Sequence, residues 1–177
     1  MNPTGLAAYD PQTHLVRVVI DTPAGSRNKY KFDPVTQLYC IARILPAGMH
    51  FPHDFGSIPG TVEPDGDPLD IMVLSETPTF PGCLMRVRLL GVLKAQQREH
   101  GKEIRNDRLL GVAITPVNES PLRDLKSIAR QQLEDIEGFL ESYNRAQGRP
   151  FKIIGRANAR AAVATLARSI RRFSSGA

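Results

Sequence analysis

The 177-residue sequence contains no tryptophan, only two cysteines, few aromatics (6%) and no acidic residue beyond Glu141. Each scarcity narrows what the chain can be. No apolar run approaches the ~20 residues that a membrane-spanning helix requires, so a membrane partner is not expected. Cys40 and Cys83 are isolated, lack CxxC spacing and sit in apolar stretches, so buried free thiols are expected in place of a disulfide or a zinc site. The N-terminal MNPTGLAAYDPQT has neither the basic start nor the apolar core of a signal peptide, which points to a cytoplasmic protein. What remains, 41% apolar and 23% charged residues, suits one soluble globular domain. We expect a flexible segment over 1–13, a single domain over 14–173 and a flexible tail over 174–177.

The formal charge of +5 suggests nucleic acid until it is located along the chain. Residues 1–141 set 15 bases against all 18 acids, and the eight bases from Arg145 to Arg172 follow with no acid among them. On the last helix, expected from near Asn158, Arg160, Arg168, Arg171 and Arg172 oppose Val163, Leu166, Ile170 and Phe173. That pattern describes a docked helix with a solvated face. Without interleaved aromatics it does not favour a nucleic-acid partner.

Residues 14–21, 38–45, 69–74, 83–93, 109–114 and 151–154 read as strands, rich in β-branched residues and often alternating. A helix follows, capped by Ser120 with Pro121 in its first turn and an apolar stripe from Leu122 through Leu125, Ala129, Leu133 and Ile136 to Leu140. The fold expected is mainly β with flanking helices (α+β): a small barrel with two helices outside.

The stretch EPDGDPLDIMVLSETP places Asp65, Asp67 and Asp70 within six positions and then runs straight into an apolar strand. Bunched carboxylates repel one another unless a cation or a hydrogen-bond network compensates. A solvated Asp-Gly-Pro turn accounts for the first two. The third, at the mouth of an apolar strand, favours a hard divalent ion, which takes a few protein carboxylates and completes its shell with water and phosphate. An EF-hand is excluded, because Leu69 and Asp70 fall where that loop needs a ligand and a glycine. A sugar-nucleotide transferase is disfavoured by the short chain and the lack of a glycine-rich turn. Lys29 and Arg43, in or beside expected strands, are the upstream cations that a phosphate ligand would need.

DGDPLDI (65–71) resembles the signature of the first family of soluble inorganic pyrophosphatases, and the similarity extends through VVIDTPAGSRNKYKFD, FPHDFGSIPGT and Tyr143. The resemblance implies a five-stranded barrel of OB type, Mg²⁺-dependent hydrolysis of pyrophosphate to two phosphates with Mn²⁺ as a possible substitute, and a homo-oligomer, usually a hexamer in bacteria. It further implies that Asp65 and Asp70 ligate metal and that Asp67 is the base acting on the attacking water. Lys29, Arg43 and Tyr143 would hold phosphate oxygens, and Asp21 stands where the family has a glutamate near a further metal.

The chain also departs from that family. Lys31 stands at an acidic position, Phe51 and Phe55 replace tyrosines, and Asn144 replaces a lysine. In the longer run AQQREHGKEIRNDRLL, Asn106 aligns with a metal aspartate and Arg108 with a lysine. An acidic pair becomes Gln97 and Arg98, or Arg98 and Glu99. Asn106 can still ligate through its carbonyl, and a bulged loop would bring Asp107 near. Fewer metals are expected, since each added base opposes a further divalent ion. Two functions stay open: a weakened pyrophosphatase, or a non-catalytic relative that binds a phosphorylated ligand or serves assembly.

Overall fold

The computed structural model describes residues 5–99, 101–116 and 118–176. Its centre is a ring of five strands. β1 (Val16–Thr22) pairs antiparallel with β4 (Asp54–Ile58), and β4 with β5 (Leu69–Leu74). β5 runs parallel to β8 (Arg108–Thr115), β8 pairs antiparallel with β6 (Leu84–Glu99), and β6 returns to β1. These pairings close on themselves and leave the ring no open edge. β2 (Asn28–Asp33) and β3 (Leu38–Ile44) form a separate two-stranded sheet. β7 (Lys102–Arg105) and β10 (Phe151–Asn158) extend β6, and β9 (Asn118–Glu119) pairs with β8.

The uninterrupted apolar run LDIMVL has a simple cause: both faces of β5 are buried. Ile71 and Val73 join one cluster with Val18, Ile20 and Val87, closed by Ala162 and Leu166 of the last helix, α2 (Ala159–Ser175). Met72 and Leu74 join a second cluster with Leu133, Ile136 and Leu140 of α1 (Arg130–Arg145). Each such side chain removed from water is worth about 1.5–3 kcal/mol, so β5 is tied down from two sides. β1 and β4 approach so closely that a Cβ on Gly56 would collide with the Val19 carbonyl oxygen.

The helix expected from Ser120 begins ten residues later. Asp124 instead caps a single 3-10 turn, Leu125–Ser127, in a reciprocal capping box with Ser127, and Ile128 is extended, so the chain restarts as α1 only at Arg130. α2 begins as expected, with the Asn158 side chain accepting from the Ala161 N–H at 3.1 Å. Its packed face differs from the apolar stripe: Ala162, Thr165, Leu166 and Ser169 are buried, whereas Val163 and Phe173 are exposed. The small residues let the helix approach the loop before β5. There Ser169 Oγ donates to the Val62 carbonyl at 3.0 Å and Arg172 donates to the same oxygen at 2.9 Å.

Both cysteines are free, but Cys40 is exposed, because β3 is the outer strand of its hairpin and its apolar composition does not bury it. Packing begins before residue 14: Ala8 is buried, Tyr9 bridges to Val16, and Asp10 pairs with Arg17 and Arg86. Among the described residues no helix is long and apolar enough to cross a membrane.

Candidate active site

The loop between β4 and β5 folds on itself before it presents its carboxylates. Thr61 Oγ1 donates to the Ile58 carbonyl at 2.5 Å and accepts from the Leu69 N–H at 2.9 Å, while the Glu63 N–H donates to the Asp67 carbonyl at 2.8 Å. Gly66 sits between Asp65 and Asp67 at φ +87°, a conformation that a residue with a Cβ adopts poorly. Asp67 N–H donates to the Asp65 side chain at 3.1 Å, which ties the Asp65 carboxylate to the turn.

A cavity of roughly 280 Å³ opens at this loop. It is lined by Lys29 from β2, Asp65, Asp67 and Asp70 from the loop and β5, Asn106 just before β8 and Arg108 at its start, and Tyr143 from α1. A second space of roughly 250 Å³ shares Lys29, Phe55, Asp67, Pro68 and Asp70 with it and adds Asp21, Tyr30 and Lys31. Eight of the nine side chains singled out from the sequence therefore meet at one place. The exception is Arg43. It pairs across the ladder with Lys29, but β3 lies one strand farther from the barrel, so Arg43 is exposed and lines neither space. A larger groove of roughly 640 Å³ along β6 and β10 carries Arg98, Arg145 and Lys152 with Glu103 and Glu141 but none of the aspartates.

The carboxylates face bases of the chain itself. Arg108 reaches Asp70 at 3.1 Å, Lys31 reaches Asp67 at 2.8 Å, and Arg172 reaches Glu63 at 3.2 Å. Arg108 also donates to Asn106 Oδ1 and lies over the Phe151 ring. Among the described residues no three carboxylate, imidazole or thiol groups draw together as a ready-made cage for an ion. Asn106 Nδ2 donates to Gln97 Oε1 at 2.7 Å, an amide pair that carries no charge. Asp107 does not reach the cavity. Its Oδ1 accepts from the Ala95 N–H at 3.0 Å and from Arg105 at 2.5 Å.

Asp21 is the most perturbed acid of the site. Burial, and then the charge of Asp70, push its carboxyl up to about 7, against the pull of Lys29, Ser57 and Lys31. Lys31 is held above its ordinary value, first by its hydrogen bond to Asp67. On the opposite wall, Phe51 and Phe55 are buried in a ring cluster with Phe139 and Tyr143, and the Lys29 ammonium lies 5.2 Å from the Phe55 ring centre and 5.5 Å from that of Tyr143. Phe55 and Tyr143 thus give Lys29 an aromatic surface that faces its ammonium group, and Phe51 packs behind them.

The model of the family described as "Inorganic pyrophosphatase" matches residues 18–174 of this chain. The chain belongs to that family. It is 34% identical over 145 residues to an inorganic pyrophosphatase of Synechocystis sp., covering 82% of this chain and 83% of that protein. It is 31% identical over 175 residues to the inorganic pyrophosphatase of Thermus thermophilus, covering 97% and 98% of the two chains. The crystal structure of inorganic pyrophosphatase from Thermus thermophilus shares its fold with a TM-score of 0.87 at 29% identity, over 98% of this chain and 99% of the other. The mainly β body with two helices is thus the pyrophosphatase fold.

Within this pyrophosphatase frame, reasoning from sequence missed Glu63, Gln147 and Arg149 as cavity-lining residues. Gln147 carries a buried side-chain nitrogen with no hydrogen-bond partner. It lies just past α1, and no motif or periodicity marks it.

Proposed function

We propose that this member of the pyrophosphatase family hydrolyses inorganic pyrophosphate to two phosphates with the aid of a divalent cation, Mg²⁺ or in its place Mn²⁺. One observation carries the reading: Lys29, the three loop aspartates, Arg108 and Tyr143, spread over more than a hundred residues of chain, line a single cavity. The oxygen donors suit a hard cation. Asp21, raised first by burial and then by the charge of Asp70, is a carboxyl that positive charge nearby would favour in its ionised form. Asp65 and Asp70, with the Asn106 carbonyl, are the cavity residues that would hold it, and Asp21 in the adjoining space would stand near a further ion. Bound there, such an ion would supply positive charge for the phosphate oxygens and a lowered pKa for the attacking water.

The residues of the chain do the rest. Lys31 grips Oδ1 of Asp67, leaving Oδ2 to take the proton of the water that attacks phosphorus. Lys29, Arg108 and the Tyr143 hydroxyl donate to phosphate oxygens as charge gathers on the leaving phosphate. Arg43 joins them only if the β2–β3 hairpin swings toward the barrel. Activity below that of family members with the full acidic set follows from the amides at 97 and 106, each lost charge-assisted contact being worth about 1.5–3 kcal/mol.

One observation favours the alternative of ligand binding without turnover: Lys31 already engages the side chain assigned as base. Phosphate release from pyrophosphate in millimolar Mg²⁺, compared between the native protein and Asp67→Asn, separates the two. Turnover lost in the variant supports the enzyme. Equal rates in both overturn it. Family membership also supports a cytoplasmic location and a homo-oligomer, hexameric in the bacterial pattern, as parts of the same reading.

A further inference from the structure

We propose that Lys31 is a resident cation of the site, one that occupies at Asp67 the place a further divalent ion would contest, so that the chain works with fewer metal ions than an acidic residue 31 would recruit. The inference rests on the pyrophosphatase reading above.

Charge and contact both point there. Five carboxylates line the two adjoining spaces. Three already face a base of the chain: Glu63 faces Arg172, Asp70 faces Arg108, and Asp67 faces Lys31. Arg172 belongs to α2, outside the cavity lining, and Arg108, assigned to phosphate oxygens, is braced by Asn106 and Phe151 with only 13% of its side chain exposed. Lys31 differs. It stands on β2 two residues from Lys29, the lysine assigned above to phosphate, and it crosses 36 residues of sequence to reach Asp67 at 2.8 Å. Its side chain is 61% exposed and that of Asp67 58%, so the pair stands in solvent at the cavity mouth, where an incoming ion also meets it.

A single positive charge a few ångströms from a divalent site weakens binding there by about tenfold or more, even when solvent screens it. Replacing it with a negative charge reverses the sign of that effect.

The test counts metal. Mn²⁺ bound per chain is measured by equilibrium dialysis in the presence of imidodiphosphate, a non-hydrolysable analogue, for the native protein, Lys31→Glu and Lys31→Gln. Lys126→Glu, the same charge change on an exposed lysine remote from the cavity, is the control. Lys31→Glu is expected to bind about one more ion than native, Lys31→Gln to tighten the weakest ion about tenfold, and Lys126→Glu to match native. Unchanged stoichiometry and affinity in both Lys31 variants overturns the proposal, as does an equal gain in Lys126→Glu. Loss of analogue binding with an unchanged metal count would make Lys31 a phosphate contact, and overturns it as well. Because no turnover is read, absence of phosphate release would sink the pyrophosphatase reading without deciding the count.

Discussion

Replacing Asp21 with asparagine removes a carboxylate that the fold keeps in an unfavourable place. Its pKa stands at about 7 in the folded chain against 3.8 ordinarily. The unfolded chain therefore gives up this proton near pH 4, while the folded chain keeps it until about pH 7. The folded state is most stable, as far as this group is concerned, below pH 4, and loses stability as pH rises through 7. At roughly 1.4 kcal/mol per unit, and with partial solvent access at the mouth, the loss at pH 8 is on the order of 2–4 kcal/mol. The substituted amide keeps an oxygen for Ser57 and does not titrate. In EDTA at pH 8, Asp21→Asn is expected to melt about 5–15 °C higher than the native protein, at about 2–4 °C per kcal/mol for a chain of this size. At pH 4.5 the difference should shrink to a few degrees. Adding millimolar Mg²⁺ at pH 8 should narrow it, because only the native chain gains a stabilised carboxylate. A gain of the same size at both pH values, or a lower melting temperature at pH 8, would refute the reasoning.

Other consequences are open to measurement. Asp54 is fully buried and accepts from the Ala24 N–H, the Ser75 hydroxyl and both the N–H and hydroxyl of Thr79; Asp54→Ala should cost about 3–5 kcal/mol in urea unfolding. Gly56→Ala forces β1 and β4 apart and should lower stability by at least ~2 kcal/mol, read in the same assay. Gln147→Leu removes the buried amide nitrogen that has no partner within the chain. It should raise stability by about 1 kcal/mol in the same urea assay, because a buried donor without a partner carries an uncompensated desolvation cost.

Much of this molecule is legible in one sequence where local chemistry and burial agree. LDIMVL reads as a strand because both its faces are buried, and its bounds match the structure. DGDPLD reads as a site because three charges precede an apolar strand, and the cavity opens there. The failures have common causes. β4 contains a glycine and a charged residue, so its composition hides a strand whose need for glycine comes from β1 across the ladder. The start of α1 lies beyond Ser120 because Asp124 competes with that serine as a cap, and a capping box settles the contest locally. The packed face of α2 follows Ala162 and Ser169 where the helix meets Val62, a tertiary demand that overrides the apolar stripe. Arg43 is aligned with Lys29, yet strand order in an outlying hairpin leaves it exposed. Lys31 is visible as a departure from the family pattern, but its contact with Asp67 joins residues that no periodicity connects.

The central claim is that Asp67 acts as base on a water attacking pyrophosphate in the cavity that Asp65, Asp70, Lys29, Arg108 and Tyr143 line. The most direct measurement is the initial rate of phosphate release from pyrophosphate by purified protein in about 5 mM Mg²⁺, within the millimolar levels such sites use, set beside Asp67→Asn at equal concentration. We predict release by the native protein that EDTA abolishes, and a rate at least about 100-fold lower in the variant. Equal rates in the two proteins, or no release from either, would contradict it.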